Sequence, residues 1–174
     1  MTTIENSTPR AALVTGAGGA LGRAIALRLG QDGYRVGLVG RDRTNLEETA
    51  QLLTDIGGES LVIELDLRDT PAIEAAVERV ERELGELHVL VNNAAIYPAT
   101  PVLDITLDEY EDVVRVNQIA YFAGAQAAAR RMVETVVAEK GFTSVQPDAL
   151  LRELRRAGCL ERTMACAHAY ADQA

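Results

Sequence analysis

Several residue types are scarce in this chain, and each scarcity argues against a class of protein. Lysine occurs once, at Lys140, and 26 acidic residues outnumber 17 basic ones, which gives a formal net charge of −9. A surface of that sign disfavours nucleic acids and anionic membranes as partners. No apolar run reaches the length of a membrane span, and the opening MTTIENSTPR has no apolar signal core. We therefore expect a cytoplasmic protein.

Cysteine is also scarce, because only Cys159 and Cys166 are present. They lie seven positions apart on a predicted helix, a separation of about two turns, which is too far for a disulfide. Two small buried thiols are the simpler interpretation. Neither a redox pair nor a metal site is expected.

Hydrophobic residues, in contrast, make up 48% of the 174 residues, enough for the core of one domain. Strand-like and helix-like apolar patterns alternate along the chain. The predicted strands are 12–14, 34–40, 60–65 and 87–91. The predicted helices are 23–29, 44–56, 71–84 with Thr70 as N-cap, 107–137 as one long helix or two abutting ones, and 148–173. This alternation predicts an α/β fold with a doubly wound parallel sheet, in which right-handed crossovers give the strand order 3-2-1-4.

The stretch after the first strand, residues 15–22, reads TGAGGALG. A strand, a glycine-rich turn and a helix form the context of a dinucleotide-binding turn. Gly16 permits a tight turn and Gly22 allows close helix packing, while Gly18 and Gly19 add positions that tolerate positive φ. The helix N-terminus would offer N–H groups to a pyrophosphate. A tight connection without any ligand is the alternative.

The predicted strand order reverses between strands one and four. Ligands of such sheets lie in the crevice beyond the carboxyl ends of the strands at this switch point. The glycine-rich turn and residues 92–95, which follow strand four, both lie there. The sequence therefore predicts one ligand crevice formed by these two segments.

Residues 11–132 resemble the first part of a short-chain dehydrogenase/reductase. Four segments carry the resemblance in order: TGAGGALGRAIA at 15–26, Asp66-Leu67, LVNNAA at 90–95, and VNQIAYFAGAQAAARRM at 116–132. The resemblance implies an incomplete Rossmann-like NAD(P)-binding domain over 1–132 and descent from an oxidoreductase.

The resemblance also implies roles for individual residues. Asp66 and Leu67 would contact the adenine, Asn93 would lie beside the cofactor and brace the sheet, and Asn117 would be the catalytic-site asparagine that helps to hold a water. The residues alone leave simpler roles open, since Asp66 could cap a turn and Asn93 could bond local backbone. The candidate cofactor-binding residues are Thr15, Gly16, Gly18, Gly19, Ala20, Leu21, Gly22, Arg41, Asp66, Leu67, Asn93, Ala94 and Ala95.

The choice between NAD and NADP depends on the end of strand two. A carboxylate there accepts the ribose hydroxyls of NAD, whereas a cation suits the 2′-phosphate of NADP. Arg41 and Arg43 favour NADP, and Asp42 between them leaves NAD open. A solvated charged turn is the third alternative.

The chemistry of the resembled family needs a tyrosine with a lysine four residues later, and a serine. Residue 136, four before Lys140, is valine, so no Tyr-x-x-x-Lys is present. A positioned proton donor is a general requirement of such chemistry. Three functions stay open: an oxidoreductase by descent that binds its cofactor, a non-catalytic nucleotide-binding or interaction module, and a truncated or chimeric fragment without activity. The substrate is not specified.

Residues 133–174 are predicted to form a separate helical tail. They resemble the C-terminal helices of trans-polyprenyl diphosphate synthases at 141–145, 158–161 and 169–174. The aspartate-rich DDxxD motif of those enzymes is absent, so no prenyl transfer is expected. The two resemblances together suggest a truncated or chimeric chain.

A homo-oligomer is also expected. Strand four would lie at the edge of the sheet, where an uncovered apolar strand invites pairing with another chain. The long helix carries small residues at Ala123, Ala127 and Ala128 that would permit a partner helix to approach closely.

Overall fold

A computed structural model describes residues 10–138 of the chain, with side chains over 10–133. Four parallel strands form its sheet: β1 (Arg10–Thr15), β2 (Arg35–Gly40), β3 (Ser60–Glu64) and β4 (Glu86–Val91). Their order is β3-β2-β1-β4, which confirms the predicted doubly wound parallel sheet. The chain divides into two units, Met1–Met132 and Val133–Ala174, and the interactions reported below are those of the first.

The helices alternate with the strands as predicted. They are α1 (Ala20–Gln31), α2 (Arg43–Asp55), α3 (Thr70–Leu84), α4 (Leu107–Val114), a π-helix (Arg115–Ile119) and α5 (Ala120–Ala138). Helix α1 begins three residues earlier than predicted, inside the glycine-rich turn itself. The N-cap predicted for α3 was wrong: Asp69, not Thr70, accepts a hydrogen bond from the Ala72 backbone N–H at 3.2 Å.

Helices cover both faces of the sheet, and the central strands are therefore buried on both sides. Leu13 of β1 packs with α3 and α5, whereas Val14, the next residue, packs with α1 and α2. Five of the six residues of β1 are buried. A continuous apolar run is what such a doubly covered parallel strand requires.

The alanine-rich face of α5 belongs to this core. Ala127 and Ala128 are only 6% and 3% exposed, and Ala123 packs against the same cluster. The expectation that this face admits a partner helix was therefore wrong, because the small side chains allow α5 to approach its own sheet.

Two further expectations concern other parts of the chain. None of the described helices combines the length and apolar character that a membrane span needs. The predicted helix 148–173, both cysteines and residues 139–174 of the tail that resembles prenyl synthases lie outside the described residues.

Candidate functional site

A cavity of about 460 Å³ lies at the carboxyl ends of the strands, where the sequence predicted a ligand crevice. Its walls come from the turn after β1, the ends of β2 and β3, and the segment after β4. Eleven of the predicted residues line it: Gly16, Gly19, Ala20, Leu21, Gly22, Arg41, Asp66, Leu67, Asn93, Ala94 and Ala95. Thr15, Gly18 and Asn117 do not line it. The sequence missed five lining residues: Gly40, Leu65, Arg68, Ile96 and Val116.

Two glycines of the turn are required by its geometry. Gly16 has φ of 68°, a conformation in which a side chain is strained. A Cβ on Gly22 would lie 2.1 Å from the Gly16 carbonyl oxygen and 2.8 Å from Asn93 Nδ2. Gly18 and Gly19 do not use a positive φ. Gly18 instead leaves room for Asn45, whose Cβ would be 2.9 Å from a Cβ at position 18.

The N-terminus of α1 opens into the cavity without a side-chain cap. Its N-cap is Gly19, which has no side chain to accept a hydrogen bond, and the first intrahelical bond runs from Arg23 N–H to the Gly19 carbonyl at 2.8 Å. The N-termini of α2, α3 and α4 are all capped by side chains. Residues 20–22 line the cavity, so their backbone N–H groups are suited to an anionic ligand.

Thr15 supports the wall of the cavity from behind. The residue is 3% exposed, and its hydroxyl accepts from the backbone N–H groups of Asn93 at 2.9 Å and Ala94 at 3.1 Å. It donates to the Val91 carbonyl at 3.3 Å. Asn93 Nδ2 in turn donates to the Thr15 carbonyl at 2.9 Å. This exchange of hydrogen bonds joins β1 to the segment that follows β4.

The π-helix and α5 hold the same segment from its other side. Asn117 Oδ1 accepts from the Ile96 N–H and Asn117 Nδ2 donates to the Ile96 carbonyl, both at 2.9 Å. Both ends of the asparagine side chain are therefore occupied, and its predicted catalytic role stays a prediction. Tyr121, one turn later, donates its hydroxyl proton to the Ala94 carbonyl at 2.8 Å. Residues 92–96 are thus fixed on two sides.

A charged cluster lies at the end of the cavity near β3. Arg68 pairs with Asp66 at 3.0 Å and with Asp112 of α4 at 2.9 Å. The pKa of the Asp66 carboxyl lies below its ordinary value, chiefly because the Arg68 backbone N–H donates to it, with its guanidinium adding to the effect. Hydrogen bonds from the Arg68 side chain lower the pKa of Asp112 as well. Asp66 therefore caps a turn and also lines the cavity.

The three charged residues after β2 have different environments. Asp42 is the N-cap of α2, and its carboxylate accepts from the backbone and the side chain of Asn45 at 3.1 and 2.6 Å. Arg43 pairs with Glu47 at 2.7 Å. Arg41 lines the cavity and makes no hydrogen bond or ion pair with the described part of the chain. Of the three, Arg41 is thus the residue without a direct bonding partner among the described residues, although its charge helps to lower the pKa of Asp66 and of Asp112.

Comparison with known proteins accounts for this architecture. The family model for short chain dehydrogenase matches residues 10–141. The chain belongs to the short-chain dehydrogenase family. Among its relatives, a diacetyl reductase of Staphylococcus epidermidis (strain ATCC 12228 / FDA PCI 1200) is 32% identical over 125 residues, which are 72% of this chain and 49% of the relative. An L-2,3-butanediol dehydrogenase of Corynebacterium glutamicum is 30% identical over 133 residues, which are 75% of this chain and 52% of the relative.

Solved short-chain dehydrogenases share the fold. A short-chain type dehydrogenase/reductase from Mycobacterium marinum superposes with a TM-score of 0.69 at 31% identity, over 73% of this chain and 51% of the other. A metagenomic short-chain oxidoreductase in complex with NADP superposes with a TM-score of 0.67 at 33% identity, over 73% of this chain and 57% of the other. The chain spans about half the length of the curated relatives that it matches.

Proposed function

We propose that this short-chain dehydrogenase chain binds a nicotinamide dinucleotide in the cavity, and NADP in preference to NAD. The observation that carries the proposal is the uncapped N-terminus of α1 beside Gly16 and Gly22. Unpaired N–H groups and the partial positive charge of a helix N-terminus favour a pyrophosphate. Two solved relatives, the metagenomic enzyme and one from Burkholderia cenocepacia, are complexes with NADP.

In the proposed pose, the dinucleotide lies extended along the cavity. The pyrophosphate would lie on the N–H groups of residues 20–22. The adenosine would extend towards β2 and β3, with its 2′-phosphate at Arg41 and its base at Asp66 and Leu67. The nicotinamide half would extend the other way, along residues 93–95. Bound there, the cofactor supplies a hydride donor or acceptor.

We do not expect hydride transfer from these 174 residues by the mechanism of the family. The sequence contains no Tyr-x-x-x-Lys, which is the proton-donating pair that this mechanism needs. The cofactor-binding parts do not depend on those groups. We therefore propose cofactor binding without catalysis for this chain, and an inactive fragment is the alternative.

Thermal unfolding in the presence of NADPH and NADH tests the proposal. A ligand that binds only the folded state adds about 2.7 kcal/mol of stability at a hundredfold excess over its Kd. We expect a cooperative melt whose midpoint rises with NADPH and rises less with NADH. A cooperative melt that neither nucleotide moves would make the glycine-rich turn purely structural. Absence of a cooperative melt would support the alternative, in which the chain is an inactive fragment.

Replacing Arg41 with alanine tests the preference for NADP. A charge-assisted hydrogen bond contributes about 1.5–3 kcal/mol. We therefore expect Arg41→Ala to raise the Kd for NADPH at least about tenfold and to leave the Kd for NADH nearly unchanged. Arg43→Ala is the matched control, because Arg43 pairs with Glu47 on the same turn. Isothermal titration gives all the dissociation constants. Equal losses for both nucleotides, or equal effects of the two variants, would argue against the role of Arg41.

We also propose a homo-oligomer. Helix α4, the π-helix, α5 and the segment before them expose large apolar side chains to solvent. These are Tyr97, Val102, Leu103, Leu107, Tyr110, Ile119 and Phe122. A concentration of exposed large apolar side chains in one stretch of the chain favours an interaction site there. Strand β4 is in addition an edge of the four-stranded sheet, and unpaired edges favour association.

Light scattering coupled to size-exclusion chromatography tests this proposal. We expect an oligomer for the wild type and a shift towards the monomer for Leu103→Glu, because Leu103 is 94% exposed within this apolar surface and a buried charge is strongly unfavourable. Leu52→Glu is the control, since Leu52 is exposed on α2, away from that surface. A wild-type protein that elutes as a monomer at all concentrations would refute the proposal.

A further inference from the structure

A second cavity adjoins the first at the β3 side. It measures about 230 Å³, and three residues, Arg41, Arg68 and Ile96, line both cavities. Asp112 and Glu109 of α4 form part of its far wall. The boundary between the two cavities is therefore formed by these three loop residues, which we call the partition, and not by a strand or a helix.

Arg68 is the most firmly held part of this partition. Its Nε and one Nη contact the two carboxylate oxygens of Asp112 at 3.1 and 2.9 Å, and its other Nη contacts Asp66 at 3.0 Å. The Arg68 side chain is 30% exposed. A bidentate arginine–carboxylate pair fixes the plane of the guanidinium group. The guanidinium group of Arg68, which is part of the partition, is thus held in one orientation.

The same ion pair fixes the position of α4. No residue of α4 is buried, so this helix has little apolar anchoring of its own. At its C-terminal end it continues into the π-helix, where Val116 is 5% exposed and packs inside. The Arg68–Asp112 pair ties the body of the helix to the loop after β3. Loss of that pair would remove one of the ties on α4 and leave the guanidinium group held by Asp66 alone.

We propose that the Arg68–Asp112 pair determines cofactor specificity by closing the adenine end of the cavity against bases substituted at the exocyclic amine. The inference rests on the proposed function, in which the adenosine points towards β3. Asp66 is a carboxylate on that wall and suits the donating amino group of a purine. The amine edge then faces Arg68, and a substituent on it meets the fixed guanidinium group. Without the pair, Arg68 is held through Asp66 alone, so the guanidinium group can turn and the second cavity then offers space for that substituent.

Binding of NADP⁺ and of its 1,N⁶-etheno derivative, which carries a two-carbon bridge on the amine edge, tests the proposal. One added methylene group in a fitted pocket changes discrimination by about tenfold or more. We expect the wild type to bind the etheno derivative at least about tenfold more weakly than NADP⁺. Asp112→Ala is expected to reduce this ratio by about threefold or more, mainly through better binding of the etheno derivative.

Asp108→Ala is the matched control, since it removes the same charge from an exposed position of the same helix and should leave the ratio unchanged. If Asp112→Ala does not melt cooperatively, Asp112→Leu, which keeps a side chain of similar size but accepts no hydrogen bond from Arg68, is judged on the same ratio. A wild-type ratio near one would overturn the inference, and so would a ratio that the Asp112 variant leaves unchanged. Failure of the wild type to bind NADP⁺ itself would overturn the proposed function and this inference with it.

Discussion

Gly22→Ala is expected to lower the free energy of unfolding by about 3 kcal/mol or more, a decrease of roughly 10 °C in Tm. The new Cβ would lie 2.1 Å from the Gly16 carbonyl oxygen and 2.7 Å from its carbon. Both are backbone atoms, so no side-chain rotation relieves the overlap. The turn and the N-terminus of α1 would have to separate, and the same separation would spoil the anion site.

Gly19→Ala in the same turn is the matched control for stability. Gly19 has φ of −82°, and the nearest atom to its added Cβ, the Gly16 carbonyl oxygen, lies at 3.5 Å. We expect a loss below about 1 kcal/mol for this variant. Urea unfolding of the two variants beside the wild type gives the comparison. Similar losses at both positions would mean that the turn tolerates the displacement that Gly22→Ala forces.

Thr15→Val is the second large effect that we expect, with a loss of about 2–4 kcal/mol of folding free energy. Valine keeps the volume of threonine but accepts no hydrogen bond. The backbone N–H groups of Asn93 and Ala94, which both donate to the Thr15 hydroxyl, would lose their acceptor. A fully buried donor without a partner destabilises by about 1–3 kcal/mol, and two partly buried donors would lose their acceptor together.

Thr15→Ser separates this effect from packing, since serine keeps the hydroxyl and removes only a methyl group. We expect serine to retain most of the stability and valine to lose it. Amide hydrogen exchange gives a local measurement, in which Asn93 and Ala94 should lose protection in the valine variant alone. If valine proved as stable as the wild type, the hydroxyl would not be the group that holds this segment.

The sequence predicted the sheet and the crevice because both depend on local patterns. Apolar runs marked the strands, alternation with helices made the strands parallel, and the handedness of crossovers fixed their order. Gly16 and Gly22 could be assigned from the turn because their requirements come from backbone geometry alone. The resemblance added Asp66 and Asn93, which line the cavity.

The remainder of the site depends on contacts that sequence spacing does not reveal. Arg68 and Asp112 are separated by 44 positions, and neither stands in a motif. Tyr121 shares a helix face with Asn117, a spacing that indicates a common direction but not its bond to Ala94. The alanines of α5 misled the prediction, because small residues permit close packing against any neighbour, including the chain's own sheet.

The π-helix between α4 and α5 changes the direction in which the side chains after it point around the helix axis. An α-helix turns by roughly 100° per residue, and a π-helical bond, such as that from the Ala120 N–H to the Arg115 carbonyl, spans one residue more than an α-helical bond. The residues after it are therefore rotated by about one residue's angle relative to an uninterrupted α-helix. With this offset, the continuous helical segment from α4 to α5 places Asp112 next to Arg68 and, further along, Ala127 in the core. The two ends of the helical segment therefore differ by a fixed angle from the orientation that an uninterrupted α-helix would give them.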